Sequence, residues 1–234
     1  MNLNRLVCRN TNITDDAFAN LVNLTDLNCE CCERITDSGF TNLINLTKLH
    51  CKHCYYLTDN AFIHIHNLTI LNCSYCYNLT GQTFLNLKKL TDLNCSKNPE
   101  INNDAFRHLQ NLKKLNCDDC KNITDASFAH LPHLEELSCR SCGDITDYSN
   151  LINLIRLKCN KLPTYTIKQI LKLPAQLKYL NDEAYSRIIK NDNDIANKSD
   201  ANNNIDSVVN DNYDDNDDDN DNDDYVFPEF MCVL

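Results

Sequence analysis

Residues 112–131 read Leu112-Lys113-Lys114-Leu115-Asn116-Cys117-Asp118-Asp119-Cys120-Lys121-Asn122-Ile123-Thr124-Asp125-Ala126-Ser127-Phe128-Ala129-His130-Leu131. Leu115-Asn116-Cys117 alternates with a period of two, the mark of a short strand with one buried face. Thr124 and Asp125 are residue types that begin helices. Phe128 and Leu131 stand three apart, as one face of a helical turn requires. The stretch therefore predicts a strand, a turn and a short helical segment within about twenty residues.

The same pattern recurs on both sides of it. Leu24, Leu46, Leu68, Leu90, Leu112 and Leu134 follow one another at intervals of 22 residues. A slightly shorter first copy starts at Leu3, and a last one at Leu154 follows a copy two residues short, which makes eight. One such unit is too small to bury its own apolar face, whereas stacked units share a continuous core. Leu115, Cys117, Ile123, Phe128, Leu131 and their equivalents are expected to form inward columns. The phenylalanine column runs through Phe18, Phe40, Phe62, Phe84, Phe106 and Phe128, and Tyr148 is expected to take its place in the short copy.

The pattern L-x-x-L-x-C-x-x-C-x-x-[IL]-T-[DNG]-x-x-F-x-x-L-x-N resembles leucine-rich repeats, and its core looks like their cysteine-containing subtype, known from the substrate-receptor arms of F-box ubiquitin ligases. The resemblance covers residues 3–160. It implies an α/β fold, a leucine-rich-repeat solenoid with a curved parallel sheet on the concave side. The period is shorter than that subtype usually shows, so short helices or 3-10 turns are expected on the convex side. The Asn-rich style also looks like repeat proteins of large amoebal DNA viruses or AT-rich protists.

The cysteines need a separate argument. Cys29/Cys32, Cys51/Cys54, Cys73/Cys76, Cys117/Cys120 and Cys139/Cys142 all read C-x-x-C, a spacing associated with zinc. Each pair recurs at the same phase, however, and in Cys95-Ser96-Lys97-Asn98 an Asn replaces the second cysteine. An Asn there can bond turn backbone between adjacent repeats, and a buried thiol can do so more weakly while filling a small apolar site. The first cysteine is expected to point into the core, away from the second cysteine's partners. We expect no metal and no disulfide. Cys31 falls outside the pattern and is expected to be the most exposed thiol.

Charge divides the chain. From Asp182 onward 16 acids stand against three bases, a net of −13, which leaves residues 1–181 with 19 bases, 17 acids and a net of +2. We expect repeats over 1–161, a C-terminal capping segment over 162–190, a disordered Asn/Asp-rich acidic tail over 191–224 and an apolar segment over 225–234. Thr164 to Leu173 and Asp182 to Lys190 read as helices, and Leu177 to Asn181 as a further strand opening. The first repeat begins almost at Met1 without a cap, which leaves its strand edge open to self-association. No signal segment or membrane span is legible, and fifteen cysteines, an odd number, suit a reducing compartment, the cytoplasm or nucleus. Sequons such as Asn45-Leu46-Thr47 read as by-products of the repeat.

No catalytic constellation stands out, so we expect no enzyme activity and no cofactor. The resemblance implies a non-enzymatic protein–protein interaction scaffold or substrate-recognition module, with a protein partner on the concave strand face. The candidate residues there are Lys48, Ile70, Lys114, Glu136 and Arg156 in one row, His50, Asn72, Asn94, Asn116 and Lys158 in the next, and Lys52, Asp118 and Arg140 in a third, with His53 and Tyr75 beyond. Tyr75 with Ile70 is the most anchor-like spot, and His50 and His53 could make a pH-sensitive patch. The small positive surplus and the acidic tail argue against nucleic acid. An alternative comes from layout, which resembles the acidic leucine-rich nuclear phosphoproteins, binders of histones or other basic proteins through the tail.

Overall fold

The computed structural model describes residues 3–159 and the backbone of residues 179–180. Strands β1 (Arg5–Val7), β2 (Asp26–Asn28), β3 (Lys48–His50), β4 (Ile70–Asn72), β5 (Asp92–Asn94), β6 (Lys114–Asn116), β7 (Glu136–Ser138), β8 (Arg156–Lys158) and β9 (Tyr179–Leu180) form one parallel sheet in chain order. Pairing is in phase with the repeat: Leu49 lies opposite Leu71, and Leu93 opposite Leu115. In β2 to β8 only the central leucine is buried, so three residues suffice to satisfy the alternation. The expected strand near Tyr179 is present and pairs with β8. The proposed capping helices, the acidic tail and the apolar C-terminal segment lie outside the described residues.

The return side of the first six coils is a 3-10 segment, not an α-helix. Asp15–Phe18, Asp37–Phe40, Asp59–Phe62, Gln82–Asn86, Asn103–Phe106 and Asp125–His130 each deliver a phenylalanine to the core. Those six rings are at most 1% exposed, and burying each one contributes roughly 1.5–3 kcal/mol. The ring centroids of Phe62 and Phe84 are 5.7 Å apart. In the short coil Tyr148 continues the column as expected, 1% exposed and stacked 6.2 Å from Phe128.

Polar side chains join coil to coil. Thr47, Thr69 and Thr91 each donate to the carbonyl of the threonine one coil earlier. Asn45 donates to the carbonyl of Val22, and Asn67 to that of Ile44. Both polar ends of Asn45-Leu46-Thr47 are therefore used to stack coils, which accounts for the recurrent sequon. The Thr-Asp pair does more than begin a helical turn. Asp37 accepts from the backbone N–H and hydroxyl of Thr58, and Asp125 from those of Thr146. Thr124 makes no side-chain capping bond of its own, whereas Thr58 caps Asn60. A carboxylate at the start of the 3-10 segment is thus chiefly a tie to the following coil.

Leu3, Leu6 and Ile13 are only partly covered, while their equivalents Leu46, Leu49 and Leu57 are fully enclosed.

Candidate functional site: the strand face and its aromatic rim

Strands β1 to β7 are each followed by a turn whose third residue takes a left-handed backbone. Asn10, Cys31, His53, Tyr75, Lys97, Asp119 and Ser141 all have φ between 53° and 62°. None is glycine, so each coil carries a strained residue at this place. The compensation is a longer ladder. The N–H of Cys31, His53, Tyr75, Lys97 and Asp119 donates to a carbonyl of the following coil at 2.8–3.1 Å. The left-handed turn also swings these side chains out along the rim of the sheet, where they stack as a row.

That row holds a cluster of rings. His53 and Tyr75 lie 4.2 Å apart between centroids. Tyr55 and Tyr77 stack with planes only 10° apart and centroids 5.8 Å apart. Tyr75 meets Tyr77 edge-on, and the Tyr55 hydroxyl lies 3.1 Å from His53 Nδ1. Lys52 Nζ sits 5.3 Å over the Tyr75 ring, close enough for a cation–π attraction. Tyr55 and Tyr77 are 37% and 46% exposed, and neighbouring Tyr56 is 65% exposed. Tyr75 stood out in the sequence, but Tyr55 and Tyr77 did not. They fall off the strand period, and only the left-handed turn brings them back beside residues 53 and 75. The signal available in the sequence was the repetition of Tyr at the position after the second cysteine in two successive copies.

The other expected face residues divide by role. Asn72, Asn94 and Asn116 are half-buried, and each Oδ1 accepts the N–H two residues on, from Ser74, Ser96 and Asp118 respectively. These amides shape the turn, so their acceptor is engaged before any partner arrives. Asp118 is only 6% exposed, accepting from the Ser138 hydroxyl and the Arg140 backbone and pairing with the Arg140 guanidinium at 3.0 Å. Lys114 pairs with Glu136 at 3.1 Å. The alternation of sign read along the face thus corresponds to ion pairs between successive coils. Lys48, Arg156 and Lys158 are exposed, and Ile70 is half-buried beside Asn72 on β4. The structure brings Lys52, His53 and Tyr75 together on coils three and four. It places Asp118, Glu136 and Arg140 on coils six and seven, with Arg156 and Lys158 beyond.

The two histidines also separate. His53 is part of the ring cluster. His50 lies 3.8 Å from Glu30 and is largely covered; burial lowers its pKa, with Glu30 and Asp26 opposing that effect.

The thiols behave as core filler, with one correction. All fourteen described cysteines are free, and no group of three or more metal-ligating side chains occurs among the described residues. First-position thiols donate forward, as Cys51 does to the Asn72 carbonyl, and second-position thiols donate backward, as Cys54 does to the Cys29 carbonyl. Asn98 Nδ2 makes the equivalent backward bond, to Cys73, and a second to Cys95. The two sulfur sets do not point apart, however. A second-position thiol lies over the first-position residue of the preceding coil, and the Cys142 and Cys117 sulfurs come within 3.9 Å. The coil-to-coil bond that the second thiol makes draws it there. Cys31, expected to be the most exposed thiol, is half-exposed, and Cys142 is half-exposed as well.

A family profile described as BspA-type leucine-rich repeat region, in six copies, matches residues 11–135. The chain belongs to this family. The leucine-rich repeat thus stands, and the profile that matches is the BspA type. Among curated proteins none matches the sequence significantly. Solved structures share the fold. The TLR13–ssRNA13 complex is 24% identical with a TM-score of 0.58, covering 75% of this chain and 27% of that one. The internalin InlF from Listeria monocytogenes is 21% identical with a TM-score of 0.55, covering 76% and 60%. The Rad7–Elc1 complex of yeast is 18% identical with a TM-score of 0.56, covering 76% and 49%. The chain therefore spans less than two thirds of these relatives' lengths. Among the described residues no helix is long and apolar enough to cross a membrane.

Proposed function

We propose that this leucine-rich repeat protein is a non-enzymatic recognition module that binds a protein partner across the strand face, anchored on the aromatic rim of coils three and four. The observation that carries the reading is the packing of His53, Tyr55, Tyr75 and Tyr77 into one partly exposed cluster beside Lys52. Large rigid rings supply interface area at small entropic cost and dominate binding hot spots. Leucine-rich repeats commonly serve protein or ligand recognition, which is in keeping with it. The expected setting is cytoplasmic or nuclear, because the buried thiols are free. Nucleic acid is expected to bind poorly, since Lys97 and Lys121 both already pair with Asp119, at 2.6 Å and 3.3 Å, and residues 1–181 carry a net charge of only +2.

The test is affinity capture with quantitative mass spectrometry, comparing the native chain with a Tyr55→Ala, Tyr77→Ala variant. Both rings are exposed, so the variant should fold. Loss of one set of bound proteins supports the rim, and unchanged recovery rejects it. The charge split favours a second reading, in which the acidic segment after Asp182 binds basic proteins. Deleting residues 191–234 separates the two: histone binding should vanish under the second reading and rim-dependent capture should persist under the first. A labelled single-stranded RNA of mixed sequence, titrated at physiological salt, checks the nucleic-acid expectation.

A further inference from the structure

The Cys142 and Cys117 sulfurs, 25 residues apart in sequence, lie 3.9 Å from each other. We infer that Cys117 and Cys142 form a peroxide-oxidisable dithiol that closes into a disulfide joining coils six and seven.

Three observations meet at this pair. Cys142 donates to the Cys117 carbonyl at 3.0 Å, which holds its side chain over the neighbouring coil. Gly143 keeps the following chain close to that coil, since a Cβ there would come within 2.7 Å of the Ile123 and Lys121 carbonyls. A disulfide needs the sulfurs to approach to ~2.05 Å, a change that side-chain rotation from van der Waals contact can supply. Access then distinguishes this pair from the others. The second-position thiols Cys32, Cys54, Cys76 and Cys120 are fully enclosed, whereas Cys142 is half-exposed. Cys117 itself is fully enclosed. Contact with Cys142, and burial after it, hold the Cys117 thiol well above its ordinary pKa, so it remains protonated until its neighbour has been oxidised.

The chemistry balances with hydrogen peroxide as oxidant. Cys142 loses its proton to solvent, and its sulfur attacks one peroxide oxygen. The O–O bond breaks, giving a sulfenic acid and hydroxide, which leaves as water. The Cys117 sulfur then attacks the Cys142 sulfur, the S–O bond breaks, and the Cys117 proton leaves with the departing hydroxide as a second water. Two thiols are oxidised by two electrons and one peroxide is reduced by two. A thiol reductant reverses the bond.

The experiment uses the full chain, treated with stoichiometric hydrogen peroxide, blocked with N-ethylmaleimide and digested with trypsin without reduction. Residues 115–121 and 141–156 should appear as one linked species, with fragmentation placing the link on Cys117 rather than Cys120. The link should disappear on adding dithiothreitol and in Cys142→Ser, and persist in Cys31→Ser. Cys142→Ser leaves the enclosed Cys117 in place, so its folding is expected to be intact. The inference is overturned if Cys142 stays maleimide-labelled while Cys31 is oxidised, if it ends as sulfinic acid, or if it links to any other cysteine.

Discussion

The Asn98 carboxamide donates to the Cys73 carbonyl, 25 residues earlier, at 2.9 Å, and so occupies the place where Cys76 and Cys120 reach back with a thiol. One hydrogen-bonding task is thus performed by two chemistries within one core. The amide does it with two N–H groups, also reaching Cys95, and leaves its Oδ1 enclosed without a partner.

Substitution at Asn98 should therefore grade by hydrogen bonding and not by size. Asn98→Ala strands the Cys73 carbonyl, and the desolvation cost of an unmet buried polar group sets a loss of about 1–3 kcal/mol. Asn98→Cys restores the backward donor and removes the unmet oxygen, so its loss should be less than half as large. Urea denaturation midpoints check the ordering; equal losses would contradict it.

Asp59 ties two coils through the backbone and hydroxyl of Thr80 and the N–H of Gly81. Asp59→Ala should lower stability by about 2–4 kcal/mol, since charge-assisted bonds contribute more than neutral ones. Asp59→Asn keeps one acceptor oxygen and should lose less. Because coils couple only to their neighbours, hydrogen exchange should rise most across coils three to five.

Gly81 stands where most coils carry Asp or Asn. Its φ is +83°, and a Cβ would meet the Ala105 Cβ at 2.5 Å. Gly81→Ala combines left-handed strain of about 1–2 kcal/mol with overpacking of about 1–3 kcal/mol, and should lower the melting temperature by several degrees. Gly39→Ala faces a side-chain carboxylate instead, Asp15 at 2.7 Å, and should cost less because that group can move.

His50 makes stability depend on pH. Burial lowers its pKa in the folded chain, partly opposed by Glu30 and Asp26 and reinforced by Lys48 and Arg9. The unfolded chain therefore takes up the proton first, near the ordinary histidine value of about 6.5. The contribution of His50 is fully present above that value and is lost as pH falls from there toward the folded pKa. His50→Gln should flatten the stability profile below about pH 6.5. A profile unchanged by the substitution would remove His50 as its origin.

The repeat made the architecture readable because one period of sequence equals one coil. Residues of equal phase must then stack, so the leucine column, the phenylalanine column with its Tyr148 substitute, and the place of the strands all follow from spacing alone. The exchange of Asn98 for a cysteine likewise pointed to a backbone tie before any contact was seen. Equal phase, however, says nothing about which different phases touch. Tyr55 and Tyr77 reach His53 and Tyr75 only because a left-handed residue bends each turn back on itself, and that backbone choice carries no glycine to announce it. The meeting of Cys117 with Cys142 depends on the offset between neighbouring coils, which the parallel register and the backward hydrogen bond set together. Local period determined what stacks, and packing between coils decided what meets.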